Sequence, residues 1–304
     1  MATSMTTAGD ADYQYEVVEN WGRVPPGWSL GVVTGIAVDS RERVYLCQQQ
    51  QDPPVMVFDR EGNFLDSWGA GLIREPHTIF IGPDDVLYLA DRGDHVALKL
   101  TLDGQPLLEL GNRGRPSDTG CTEDEGTVLR AGEPFNRPTR LSPSPSGDLY
   151  VSDGYRNSRV HRFSGQGPLL ASWGEPGNDG PGQFYSPHCL WIDQQGLVYV
   201  CDRKNNRIQI FSPEGEFTGQ WTNVSLPTDL HMDSNGDWYL AERLENETQA
   251  FWITVRDREG QVLARWDTPR SHQIWVDRHG DIYLVSGVQG LPENGVATKF
   301  VRTR

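Results

Sequence analysis

The sequence predicts an all-β chain folded as a six-bladed β-propeller, and three observations predict it. Six segments align at one register: VTGIAVDSRERVYLCQ, PHTIFIGPDDVLYLAD, PTRLSPSPSGDLYVSD, PHCLWIDQQGLVYVCD, PTDLHMDSNGDWYLAE and SHQIWVDRHGDIYLVS. Their second residues, Thr34, His77, Thr139, His188, Thr228 and His272, recur about every 40 to 60 residues, the length of a four-stranded blade. The last copy lacks a fourth strand, and the N-terminus supplies a segment of that type.

Each aligned copy is an apolar segment, a polar turn usually holding Gly or Asp, and a second segment centred on Tyr or a neighbour rich in Leu and Val. β-branched and aromatic residues suit a pleated surface and Gly or Asp suits a tight turn, so each copy reads as a hairpin. A third apolar segment, a Gly turn and a fourth segment follow, as in VMVFDREGNFLDSWG, VHRFSGQGPLLASWG, IQIFSPEGEFTGQWT and ITVRDREGQVLARWD. After the hairpin from His272 to Val285 and a strand near Ala297–Phe300 the chain stops, and Tyr15–Gly22 matches the outermost strand of other blades. A blade built from both termini leaves no open edge there. Residues 13–304 are therefore assigned to one six-bladed domain, and 1–12 to a flexible N-terminal segment. The longest irregular stretch, Gly111–Asn136, reads as a loop inserted between the second and third blades, where lids are found.

The formal net charge of −15 excludes a polyanion as partner, since nucleic acid and anionic membrane surfaces need a basic face. Residues 1–7 lack a secretion signal and no apolar run is long enough to span a bilayer, so the expected location is cytoplasmic. Cys47, Cys121, Cys189 and Cys201 show no C-x-x-C spacing and are expected as buried apolar residues rather than bridges. Asn223-Val-Ser225 and Asn246-Glu-Thr248 are sequons without weight in such a chain. Nothing in the sequence points to an oligomeric state.

The alternation of His and Thr at the repeat position carries the chemistry. Three imidazoles in every second blade face one point on a pseudo-three-fold ring, and that is a metal site: His77, His188 and His272. Three neutral nitrogens without thiolate, with room for a fourth ligand, fit an open zinc site or another divalent metal. His95, His161, His231 and His279 fall outside this register and read as packing or surface residues. Antiparallel pairing returns the end of each second strand to the same mouth, which adds Gln48, Gln49, Arg92, Tyr155 and Arg203.

The stretch PFNRPT at 134–139, LYVSDGYRNSRV at 149–160, SWGE at 172–175, PGQF at 181–184 with Pro187-His188, and CDRKNNRIQ at 201–209 resembles the core of peptidyl-α-hydroxyglycine α-amidating lyase. The resemblance is dense from about residue 72 to 217. It implies an NHL-type propeller with zinc on His77, His188 and His272, Tyr155 as base, and cleavage of a carbinolamide to an amide and glyoxylate. Departures accompany it. Gln48–Gln51 stand where the family has an active-site arginine, and Gln273 stands where an aspartate supports a structural calcium, so calcium is not expected. The family's disulfide-forming cysteines are absent, with Arg156 beside Tyr155 where one would fall. Arg270, Arg92 and Arg203 are the candidates to replace the missing arginine, with Gln48, Gln49 and Gln273 as substrate-binding residues.

The resulting expectation is a zinc-dependent lyase acting on a small substrate at a hydroxylated carbon bearing nitrogen or another heteroatom. Its active-site residues are Tyr155 and Arg270. A metal-dependent hydrolase such as a lactonase is the second reading, and a non-catalytic NHL binding propeller the third.

Overall fold

In the computed structural model, residues 6–244, 250–290 and 295–303 are described. The fold class is the expected all-β, six-bladed propeller, and a 3-10 turn at Arg203–Asn205 is the one helical element among the described residues. Among the described residues no helix is long and apolar enough to cross a membrane. The described residues fall into two compact units, one drawn from 1–67 and 228–304, the other being Trp68–Pro227. The second sequon lies outside the described residues.

The unit Trp68–Pro227 holds three four-stranded antiparallel sheets. Blade two is Pro76–Ile81, Leu87–Asp91, Val96–Leu100 and Pro106–Gly111; blade three is Pro138–Pro143, Leu149–Asp153, Arg159–Phe163 and Leu169–Trp173. Blade four is Pro187–Ile192, Val198–Asp202, Arg207–Phe211 and Phe217–Trp221. Second strands are buried along their whole length, whereas outer strands expose Leu107, Leu169, Leu170 and Phe217. Between blades three and four, Tyr150, Val160, Phe184, Leu190, Val198 and Phe211 form one apolar cluster against Trp173, the tryptophan of the repeated Trp-Gly signature. Each such side chain removed from water contributes about 1.5–3 kcal/mol.

The unit drawn from both ends holds blades one, five and six. Blade one is Val32–Val38, Val44–Gln49, Val55–Phe58 and Phe64–Trp68, and blade five is Asp229–Met232, Trp238–Arg243, Phe251–Arg256 and Val262–Thr268. Blade six is Gln273–Val276, Ile282–Val285 and Ala297–Arg302, completed by Tyr13–Trp21 in antiparallel register, Tyr15 opposite Arg302 and Val17 opposite Phe300. Residues Thr6–Asp10, within the segment expected to be flexible, add a fifth strand with Thr6 opposite Val17; residues 1–5 lie outside the described residues. The outermost strand otherwise presents unpaired backbone groups, and a short polar strand without apolar alternation can still satisfy them.

A repeated aspartate shapes the inner turns. Asp39, Asp193, Asp233 and Asp277 each accept two backbone N–H groups from the residues two and four positions on, which fixes the hairpin where the sequence shows its polar turn. The inner ladders then break at one place. Register shifts fall between Val33 and Gly35, Pro76 and Thr78, Pro138 and Arg140, and Pro187 and Leu190. In these four blades the repeat-position residue is thus the extra residue of a bulge, which frees its side chain from the pleat and re-aims it.

The bulge in blade four also overturns the cysteine expectation. His188 and Cys189 both lie across from Cys201, and Cys189 and Cys201 are bridged with Cα atoms 5.2 Å apart. Strict alternation would have turned Cys189 away. Cys47 and Cys121 are buried and outside any disulfide, as expected.

Candidate functional site

In the unit Trp68–Pro227, His77 and His188 are both fully buried, and their rings stand edge to face with centroids 4.8 Å apart. His77 Nδ1 lies 2.6 Å from the Thr139 carbonyl oxygen. A carbonyl only accepts, so Nδ1 carries the proton and Nε2 of a neutral ring presents its lone pair. His77 Nε2 lies 3.1 Å and His188 Nε2 3.2 Å from the hydroxyl of Tyr155. The threonine of the alternate blade is therefore the orienting partner of the histidine before it. Its hydroxyl donates to the Pro187 carbonyl at 2.9 Å, tying the blade that orients His77 to the one that carries His188.

Three buried aspartates at the ends of second strands set the loops that enter these positions. Asp91 accepts from the backbone N–H of Arg74, Glu75 and Gly93, just before His77. Asp153 accepts from Asn136 N–H, just before Thr139, and from Asn157. Asp202 accepts from Tyr185 N–H, just before His188, and from Asn205, Arg207 and Gln209. Burial pushes the carboxyls of Asp91 and Asp202 above the usual range, against the pull of these donors. Arg137 and Ser186, each preceding a repeat proline, sit at φ of 66° and 60°. Such conformations cost about 1–3 kcal/mol for a non-glycine residue, and the aspartate contacts hold them.

Tyr155 follows Gly154, whose backbone runs so close to the next blade that a Cβ there would lie 2.0 Å from the Pro187 oxygen. Glycine at 154 is what lets the phenol reach both imidazoles. Burial pushes the Tyr155 hydroxyl up from its ordinary pKa, while the guanidinium groups of Arg203 and Arg92 pull it down. Arg92 stacks on the ring with its guanidinium carbon 4.9 Å from the centroid. It also donates to Glu75 at 2.6 Å. Arg203 donates to Glu125 at 2.5 Å.

The unit drawn from both ends carries His272, whose Nδ1 lies 2.7 Å from the Thr34 carbonyl oxygen, the same orientation by a threonine of a neighbouring blade. Gly287 abuts it, with a Cβ there falling 2.7 Å from His272 Cβ. Arg270 is exposed, donates to the Ser286 carbonyl at 3.2 Å and lies over Phe251. Gln48 is tied on both ends of its amide, accepting from Gly31 N–H at 2.9 Å and donating to the Pro53 carbonyl at 3.1 Å. Gln49 is buried, and Gln273 accepts from Ile36 N–H at 3.2 Å. The remaining histidines serve packing or surface contacts: His95 accepts from Arg137 N–H, His161 lies with Ser172, His231 packs on Trp275 and His279 pairs with Glu42.

Glu75, Asp124 and Glu125 escaped the sequence reading. Aspartate ends the second strand in blades two, three and four, a repeat visible in the sequence. Asp124 and Glu125 lie in the unrepeated loop and carry no periodic signal.

A model of the NHL repeat matches residues 184–211. NHL repeat-containing protein 3 of Mus musculus is 31% identical over 243 residues, covering 73% of this chain and 67% of that protein. Peptidyl-alpha-hydroxyglycine alpha-amidating lyase 1 of Drosophila melanogaster is 31% identical over 174 residues, 53% of this chain and 30% of that protein. Peptidyl-glycine alpha-amidating monooxygenase B of Xenopus laevis is 31% identical over 307 residues, so the chain spans about a third (33%) of that longer relative. Among solved structures, a streptogramin B lyase superposes with a TM-score of 0.63 at 11% identity, covering 95% of this chain and 98% of that one. A gluconolactonase of Xanthomonas campestris gives 0.61 at 14% identity, covering 99% of each chain.

Proposed function

This chain belongs to the NHL-repeat propeller family that includes the peptidyl-α-hydroxyglycine amidating lyases, and from that premise we propose that it is a metal-dependent lyase. Its reaction breaks a C–N or C–heteroatom bond at a hydroxylated carbon of a small substrate. The observation that carries this reading is the approach of two imidazole Nε2 atoms, from His77 and His188, to the single hydroxyl of Tyr155. Two imidazole nitrogens meeting at one point, with the His77 tautomer set by the Thr139 carbonyl, are a donor set for a cation.

In this proposal His77, His188 and His272 hold one divalent ion, zinc being the ion that neutral nitrogen ligands suit. When bound, such an ion supplies Lewis acidity that makes a substrate hydroxyl easier to deprotonate. Tyr155 in its phenolate form takes that proton, the carbonyl forms as the C–N bond breaks with its electron pair moving to nitrogen, and the proton then passes from Tyr155 to the leaving nitrogen, restoring the phenolate. Burial alone raises the phenol's pKa, so base chemistry depends on the positive charge gathered around it, to which Arg92 and Arg203 contribute. In this proposal Arg92 and Arg203 face the substrate, and Gln48 and Gln273, whose amides engage backbone, are with Gln49 supporting residues. Arg270 lies at the exposed rim beside His272.

The test is turnover of N-acyl-α-hydroxyglycines and other α-hydroxy amides, with lactones alongside, by the metal-loaded protein. The proposal expects amide and carbonyl products and a loss of at least about 10²-fold in Tyr155→Phe. Lactone turnover without α-hydroxy amide turnover would replace it with the hydrolase reading.

A further inference from the structure

The inserted loop between blades two and three carries two adjacent carboxylates at its tip, Asp124 and Glu125, and both are paired with cations around Tyr155. Asp124 pairs with Arg137 and Arg156 at 2.8 Å and with Arg92 at 3.6 Å. Glu125 pairs with Arg203 at 2.5 Å and Lys204 at 3.4 Å, and Ser186 donates to it at 3.3 Å. Glu75 is a third carboxylate in the group, on Arg92 and Arg137. Five cations thus meet three carboxylates, two of which belong to the loop.

The loop is fastened in two different ways along its length. Its neck is clipped largely by uncharged bonds, Ser117 N–H to Phe135 O, Leu129 N–H to Thr119 O, Thr119 hydroxyl to Arg156 O, and a mutual pair between Gly132 and Asn157, with ion pairs of Arg159 with Glu133 and Arg130 with Asp118 beside them. Its tip reaches the rest of the unit through the ion pairs of Asp124 and Glu125, one backbone bond from Glu125 N–H to Tyr155 O, and a 3.4 Å contact from the Tyr185 hydroxyl. The side chains of Asp124 and Glu125 remain 30% and 21% exposed, so water reaches the carboxylate side of these pairs. Partly exposed ion pairs of this kind are weak singly and exchange for another carboxylate at little cost.

We propose that Asp124 and Glu125 are a latch: the chain's own carboxylates occupy the arginines beside Tyr155 and close the loop tip over it, and a small carboxylate ligand opens the site by displacing them. The latch rests on the proposed function only in naming Tyr155 as the residue it covers; its ion pairs stand apart from any metal or turnover. It accounts for guanidinium groups that are present at the mouth yet already paired.

The experiment measures glycolate binding by calorimetry to the full chain and to the double variant Asp124→Asn/Glu125→Gln, with hydrogen exchange of residues 118–130 in the unsubstituted chain. The latch predicts binding at least about 10-fold tighter in the double variant, and faster exchange at 120–128 when glycolate saturates the unsubstituted chain. Exchange at the tip needs no variant, so misfolding of the double variant leaves a decisive result. Equal or weaker glycolate binding in the folded double variant, no binding to either form, or unchanged exchange would overturn the latch. Neither readout uses metal content or turnover, so a protein that binds no metal yet shows both effects would remove the lyase reading and keep the latch.

Discussion

Replacing Asp202 by Asn isolates the contribution of the loop-setting aspartates. The Asp202 side chain is fully buried. One of its oxygens receives Tyr185 N–H at 2.8 Å, and the other receives Asn205 at 2.8 Å, Arg207 at 2.7 Å and Gln209 at 3.0 Å. All four partners donate, so an asparagine placed either way turns an NH2 group against at least one donor. It also removes the counter-charge from Arg207, which is 7% exposed. An orphaned buried donor costs about 1–3 kcal/mol and breaking a buried ion pair about 3–5 kcal/mol. Arg207 keeps the Gly180 and Gln183 carbonyls, which holds the total near the lower range, about 3–4 kcal/mol. Urea unfolding followed by tryptophan fluorescence measures it, with the slope checked for constancy. A loss under about 1 kcal/mol would mean that these donors find other partners, and would refute the reasoning.

Three further outcomes are expected. Gly154→Ala must move the Tyr155 segment away from Pro187, because its Cβ would start 2.0 Å from the Pro187 oxygen; activity should fall more than stability, which about 1–3 kcal/mol of overpacking bounds. Thr139→Val keeps the carbonyl that orients His77 and removes the hydroxyl bonded to Pro187; a zinc titration should show affinity about 10–100-fold weaker, and unchanged affinity would leave the hydroxyl without a role in the site. Asp281 accepts from Arg60 at 2.7 Å, Lys299 at 3.2 Å and Arg302 N–H at 2.9 Å, contacts that lower its carboxyl pKa despite burial. A depressed folded pKa gives stability that is present above the unfolded value near about 3.9 and lost as pH falls below it. Asp281→Asn should therefore destabilise at neutral pH and flatten the acid limb of the stability profile; an acid limb as steep as in the parent chain would contradict it.

The repeat made the fold legible because each blade restates the same alternation, turn aspartate and Tyr-centred strand. It also placed Tyr15–Gly22 in the last blade, where the strand Tyr13–Trp21 lies, since a strand ending in Trp-Gly has only that vacancy. The strand at Thr6–Asp10 was hidden, because its backbone pairs with an edge and its side chains carry no pattern. His77, His188 and His272 were legible by register. The bulge that aims the repeat position was not, since register shifts leave no residue signature, and the same shift concealed the pairing of Cys189 with Cys201. The threonines between the histidines carry no role in the sequence, yet Thr139 and Thr34 orient rings through main-chain oxygens, a role that any residue type could hold. The charges of the inserted loop meet their partners only in three dimensions, so Asp124 and Glu125 surfaced in the structure alone.

The central claim is tested most directly by the metal content of the purified protein after exposure to zinc and removal of loosely bound ions. One divalent ion per chain, with retention well below one in His188→Ala at unchanged far-ultraviolet circular dichroism, is the result this account predicts. A chain that retains no ion, or a His188→Ala variant that retains a full equivalent, would contradict it.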